Sequence, residues 1–192
     1  MKKSLLLLVC AIAMASFSQA QVRIGLKGGV NLANLNADGI DSKMKIAFNA
    51  GAIAKFSVTN AFSIQPEVLY SSQGTTLEEM DVKFEMNYIN IPVMFQYNVM
   101  GFILETGPQL GILASAKGKA DGQSEDIKDM FKSIDFSWGI GAGYQMSGSG
   151  LGITARYNIG LSDIAEEGGG VKVKNSVIQL GFFYMLGRPA RN

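Results

Sequence analysis

Glu67, Glu105 and Asp135 fall on one row of an alternating β pattern, and carboxylates converging on one surface could act as a general acid and base. The same row carries Arg23, Lys27, Lys55 and Arg156. Neutralisation of one set by the other is the stronger expectation, because unpaired charge held away from water is costly. The chain has no histidine, which removes Ser-His and Cys-His nucleophilic pairs and the commonest metal ligand. Its one cysteine, Cys10, lies in an N-terminal apolar run, so the rest of the chain has neither disulfides nor thiolate metal sites. Asp121, Glu125, Asp126 and Asp129 lack the order of an EF-hand loop and fit a solvated charged loop. The glycine runs at 139–143 and 168–170 have no strand-loop-helix context and no following Lys-Ser/Thr, so they are not phosphate loops. No catalytic activity, cofactor or metal is expected.

The elements that carry this row begin after an export signal. Lys2 and Lys3 precede an apolar run from Leu5 to Ala15, and Ser18-Gln19-Ala20 supplies the small residues of a cleavage site. The run is shorter than the roughly 18 residues a spanning helix needs, so residues 1–20 are expected to be a cleaved signal peptide and 21–192 the mature domain. Without Lys2 and Lys3, the 17 basic residues fall to 15 against 16 acidic ones, which is no footprint for nucleic acid. After residue 20 no apolar run is long enough for a membrane helix, so insertion would have to use strands.

Period-two alternation recurs along the mature chain. Val22, Ile24, Leu26, Val30 and Leu32 oppose Arg23, Gly25, Lys27, Gly29 and Asn31, and Lys45 to Val58 repeats the pattern with only Ile53 breaking its polar side. Thr59-Asn60 makes a tight hairpin into Phe62 to Ser71, where Pro66 predicts a local irregularity. From Val82 to Val99 the apolar row changes phase near Tyr88, which predicts a β-bulge or a strand leaving the membrane as a loop arm. Phe102 to Ser115 follows a short turn, and Lys117 to Ser133 is the longest charged loop, with a short helix expected around Ile127 to Phe131. Ile134 to Met146, Leu151 to Ser162 and Lys174 to Leu186 complete the set. Longer polar loops, from Ala33, Ser72, Lys117 and Asp163, alternate with short turns. The fold class is therefore all-β: an eight-stranded antiparallel up-and-down transmembrane β-barrel.

Alternation alone does not say which row faces inward, since a soluble lipocalin-like ligand-binding barrel alternates too. The polar row is rich in glycine, at Gly25, Gly29, Gly51, Gly107, Gly139, Gly141, Gly152 and Gly181, as expected where long charged side chains compete for space in a narrow lumen. The apolar row carries aromatics near the turns, at Phe62, Tyr97, Phe102, Tyr144 and Tyr184, and near the loops, at Tyr70, Trp138 and Tyr157. Such girdles belong at membrane interfaces. The expected arrangement is an apolar row in lipid and an interior charge network of Arg23, Lys27, Lys55, Glu67, Glu105, Asp135 and Arg156.

The stretches GLKGGVNLANL (25–35), MNYINIPVMFQY (86–97), LETGPQLGIL (104–113), FSWGIGAGYQM (136–146), ARYNIGLSDI (155–164) and IQLGFFYML (178–186) resemble the small outer-membrane β-barrel proteins of Bacteroidota, the porin-family or PorT-family proteins. The likeness spans nearly all of the mature chain, although residues 187–192 follow the last aromatic strand where the simplest members would stop. It implies an outer-membrane location and, for some relatives, service to secretion or gliding machinery. The function expected is a structural or interaction role, with loops presented outside or an envelope or secretion-machinery protein docked. A narrow porin-like channel for small solutes is the alternative. Partners are then outer-membrane lipid and such a protein, with no nucleic acid, and the barrel is expected to be a monomer.

Overall fold

The computed structural model describes residues 21–37, 43–77, 82–120, 123–165 and 173–186. Residues 1–20, expected to be the export signal, and residues 168–170 and 187–192 lie outside them. Strands β1 (Gln21–Ala37), β2 (Lys43–Ser57), β3 (Phe62–Leu77), β4 (Val82–Val99) and β5 (Phe102–Ala120) are followed by a short β6 (Gln123–Asp126). Then come β7 (Ile134–Gln145), β8 (Leu151–Gly160) and β9 (Val173–Met185). All pairings are antiparallel and join sequence neighbours, except that β7 pairs with β5 past β6 and that β9 closes on β1. Eight strands form the ring, and among the described residues β6 pairs only with the far end of β5. Closure satisfies backbone donors and acceptors without an edge, which is what lets strands stand in hydrocarbon.

The turns follow local chemistry. Met100 and Gly101 both take positive φ, 50° and 87°, as a two-residue turn between β4 and β5 requires. Thr59 Oγ1 accepts from the backbone N–H groups of Ala61 and Phe62 and so fixes the β2–β3 turn. Ser149 and the positive-φ glycines 148 and 150 make the third.

The apolar row points outward. Ile140 is 54% exposed and Phe182 64%, whereas Arg156 and Glu105 are 1% and 4% exposed. A lipocalin-like barrel would reverse these values, so that alternative falls. Phe62–Tyr97, tilted, and Phe102–Tyr144, edge to face, pair near the turns with ring centroids 4.9 and 5.0 Å apart, and Phe48–Tyr70 pair towards the loops. The eight steps from Phe62 to Tyr70 rise about 20 Å at the usual strand pitch and tilt, near the about 25 Å apolar band of such barrels.

Several expectations change on the loop side. β1, β3 and β5 run on to Ala37, Leu77 and Ala120, so much of the expected loop sequence is strand that continues past the apolar band. Within the expected loop, Lys117 to Ala120 of β5 pair with Gln123 to Asp126 of β6, and the short helix expected at Ile127 to Phe131 is a single 3-10 turn at Lys128–Met130. The phase change near Tyr88 is no bulge in β4, where Met86, Tyr88 and Asn90 all face inward. Instead, pairing jumps from Asn87↔Ser115 to Tyr88↔Leu113, leaving the extra residue, Ala114, in β5. Above Tyr88 the strand has left lipid, so its polar residues turn outward and its apolar ones inward. At Pro66 the β2–β3 pairing lapses between Ile53↔Glu67 and Phe56↔Ile64, yet the register is the same on both sides.

Candidate functional site

The lumen is filled in layers. Nearest the short turns, Lys55 Nζ donates to Asn98 Oδ1 at 2.7 Å, and Arg23 lies beside it. Next is an apolar layer of Ile53, Ile103, Phe183 and Met185. The Phe183 ring covers Gly152 so closely that a Cβ there would lie 2.2 Å from it, which gives that glycine a packing reason.

The charged layer follows. Arg156 on β8 donates from Nη1 and Nη2 to the two oxygens of Glu67 on β3, at 2.9 and 2.7 Å, and from Nε to Glu105 on β5 at 2.7 Å. Lys27 on β1 reaches Glu67 at 3.3 Å. Gln65 donates to Glu67 at 2.8 Å and Gln96 to Glu105 at 2.9 Å, so each carboxylate meets several donors. The cluster ties β1, β3, β4, β5 and β8 together. Room for it comes from Gly139, whose Cβ would meet the Arg156 side chain at 3.4 Å, and Gly141, whose Cβ would meet Glu105 Oε1 at 3.0 Å.

Four of the seven sequence-derived interior charges therefore converge: Lys27, Glu67, Glu105 and Arg156. The other three stand apart. Lys55 and Arg23 lie on the turn side of the apolar layer, and Asp135 lies towards the loops, where its Oδ1 accepts from Ser162 Oγ at 2.7 Å. Asp135 is thus no counterion of the arginines. The carboxylates Glu67 and Glu105 are saturated by cations and amides, an arrangement that holds a wall together and leaves no free base facing a substrate.

Above the charges an amide ladder continues the filling. Asn49 donates to Asn31 at 2.6 Å, Asn31 to Ser71 at 2.9 Å, Gln73 to Ser71 at 2.9 Å, and Asn175 to Gln73. Leu35, Met86, Tyr88, Leu113, Ala116 and Ile164 then cap the lumen, with Ile127, Phe131 and Val173 packed against them. Sequence reasoning missed this cap. Its signal was present in the inward row Met86–Tyr88, facing the polar Glu85 and Asn87.

Outside the cap, Glu85 bridges Lys119 at 2.8 Å and Lys45 at 3.3 Å, tying β2, β4 and β5 together beyond the membrane. The Lys119 hydrogen bond, aided by Lys45, holds the Glu85 carboxyl below the usual carboxylate range. Phe62, Tyr70, Tyr97, Phe102, Trp138, Tyr144, Tyr157 and Tyr184 all lie on the outer face, between 36% and 65% exposed. Trp138 Nε1 donates to Thr106 Oγ1 at 2.8 Å, so its polar atom is satisfied without water. Among the described residues no cluster of three or more His, Cys, Asp and Glu could hold a metal ion.

This architecture recurs in solved structures. Neisserial surface protein A (NspA) superposes with a TM-score of 0.55 at 12% identity, over 87% of this chain and 99% of its own. Ail, the attachment invasion locus protein of Yersinia pestis, gives 0.54 at 17% identity, over 86% and 99%. At such identities the likeness is one of fold. Comparison with curated protein sequences returns no relative. The sequence profile described as an outer membrane protein beta-barrel domain matches residues 17–166, most of the chain. With its closed ring of lipid-facing strands, this chain belongs to the outer membrane protein beta-barrel domain family and is a small β-barrel of the bacterial outer membrane.

Proposed function

We propose that the protein is a closed surface barrel whose work is interaction, carried by the arm that β4, β5 and β6 raise above the membrane. The observation that carries this reading is the apolar cap: Leu35, Met86, Tyr88, Leu113, Ala116 and Ile164 root the arm in the barrel and hold it as a rigid platform. Ile127 and Phe131, which follow β6, pack against the cap and so tie β6 back to the barrel. A rigid platform loses little entropy on binding, which favours recognition of a partner.

The porin-like alternative is less well supported, because a solute would have to break the Arg156–Glu67 and Arg156–Glu105 bonds and pass an apolar layer at each end. Eight strands enclose room for their own side chains and little else. Acid-base catalysis has the same difficulty, since Glu67 and Glu105 are engaged by cations and amides and Asp135 stands apart from them beside Ser162. The finer likeness to PorT-family barrels of Bacteroidota, and with it a partner in secretion, rests on the sequence stretches alone. Residues 1–20 are read as the export signal, and intact mass of envelope-derived protein should begin at Gln21.

A photo-crosslinking residue placed at Gln123 or Glu125, with Ser147 in a periplasmic turn as control, tests the reading in intact cells. A discrete adduct from the arm positions and none from Ser147 is expected. Adducts absent from the arm, or stable solute-permeant openings of the purified barrel in planar bilayers, would overturn it.

A further inference from the structure

The turn end of the lumen opens into a cavity of about 370 Å³ whose walls include Arg23, Lys55, Ser57, Asn60, Gln145 and Ser147. Among the described residues its charge is unbalanced. Arg23, Lys27, Lys55 and Arg156 lie on this side of the cap, and the described carboxylates there are Glu67, bound by Lys27, Arg156 and Gln65, and Glu105, bound by Arg156 and Gln96. Asp135 is remote, held by Ser162. Lys55 is 8% exposed; among the described residues its hydrogen-bond partner is the neutral oxygen of Asn98, and Glu105 acts on it without direct contact. The Nε and Nη2 atoms of Arg23 are buried without a hydrogen-bond partner among the described residues.

Two neighbouring cations, Lys55 buried and Arg23 partly so, with no free carboxylate beside them among the described residues, repel each other, and an anion between them removes that cost. A guanidinium with two free N–H directions suits an oxyanion that can accept from both. We propose that this mouth is a binding site for a phosphate dianion, with Arg23 and Lys55 as its charged ligands and the hydroxyl and amide groups of the rim available to whatever the phosphate is attached to. The cavity falls within the usual range of small-molecule sites, about 300–1,000 Å³. Ile103, which packs with Ile53, Phe183 and Met185 in the apolar layer, lines the cavity on its lumen side, so the ligand enters and leaves from the periplasmic side.

Inorganic phosphate titrated calorimetrically into the mature barrel in zwitterionic micelles, with ionic strength held constant by chloride, tests the site. Saturable one-to-one binding is expected, weakened about tenfold or more in Arg23→Gln and in Lys55→Gln, and unchanged in Lys174→Gln on the outside of β9. Folding of each variant is checked by its gel mobility before and after boiling. Two variants guard against the loss of one to misfolding. The same titration in nanodiscs distinguishes sources: binding retained in phosphatidylglycerol discs assigns the site to soluble phosphates, and binding lost there but retained in phosphatidylcholine discs assigns it to a lipid headgroup. Absence of saturable binding in micelles, or equal affinity in wild type and both cation variants, overturns the proposal.

Discussion

Arg156 and Glu67 meet across the full width of the barrel: their strands, β8 and β3, stand four places apart in either direction round the ring of eight, and two hydrogen bonds of 2.9 and 2.7 Å join them. Neighbouring strands are already held by backbone ladders, so this contact adds a constraint that the sheet cannot supply. Removing Arg156 leaves two buried carboxylates facing one lysine. Arg156→Ala should cost about 3–5 kcal/mol, the usual loss on breaking a buried pair. A double-mutant cycle with Glu67→Gln, read by reversible urea unfolding in detergent, should return a coupling of about 1–3 kcal/mol. Additive effects would mean that the two side chains do not act together.

Glu105 occupies a lesser place in the same cluster, taking one bond from Arg156 and one from Gln96 where Glu67 takes donors from Arg156, Lys27 and Gln65. Glu105→Leu should therefore lower stability by about 2–3 kcal/mol, less than Glu67→Leu, because Arg156 keeps its bidentate partner. Thermal unfolding in detergent gives the ranking. A reversed order would place the main counter-charge of Arg156 on Glu105.

A Cβ at Gly51 would come within 2.0 Å of the Val68 carbonyl oxygen, and one at Gly107 within 2.1 Å of that of Val93. These are backbone atoms of neighbouring strands, so relief requires the ladder itself to move. Gly51→Ala should destabilise by about 1–3 kcal/mol. Gly28→Ala, where the nearest atom lies at 3.6 Å, should cost far less. Refolding yield into lipid vesicles, followed by gel mobility, separates the two.

The alternation of Phe136, Trp138 and Ile140 against Asp135, Ser137 and Gly139 was legible because a strand reports its two faces residue by residue. Partner choice inside the lumen was not. Arg156 and Glu67 are 89 residues apart and linked by no local pattern; only ring closure and shear bring them together. Asp135 shares the inner row with the arginines and looked like their counterion, yet height along the barrel, which alternation does not encode, sets it near Ser162. The phase change at Tyr88 was visible, but its cause lay partly on another strand, at Ala114. The cap residues Met86 and Tyr88 were apolar on the row that elsewhere is polar, since above the membrane the solvent, and with it the preferred face, is inverted.

The arm offers a pH-dependent test. Lys119 and Lys45 depress the Glu85 carboxyl, so its contribution is present above the ordinary glutamate value of about 4.3 and is lost as pH falls through the lowered folded value. Glu85 is partly exposed, which limits the effect to about 1 kcal/mol or less and makes it weaker in salt. Hydrogen exchange at β4 and β5 above Tyr88 should quicken in Glu85→Gln at neutral pH. The wild type should come to match the variant only in acid, and a difference that persists at pH 2 would rule out the ion pair as its source.

Placement in the bilayer can be tested on one strand. Ile140 faces outward between Trp138 and Tyr144, in the middle of the apolar band, whereas Ile134 faces outward at the loop end of β7. An arginine at the midplane of a barrel's lipid face costs about 2–4 kcal/mol and one near the interface about 0–1. Ile140→Arg should therefore lose several times as much stability as Ile134→Arg when the barrel unfolds from lipid vesicles. In detergent the gap should shrink, because micelles adapt their thickness round a charge. Equal losses in vesicles would mean that the apolar band sits at another height on β7, and that Trp138 does not mark its outer rim.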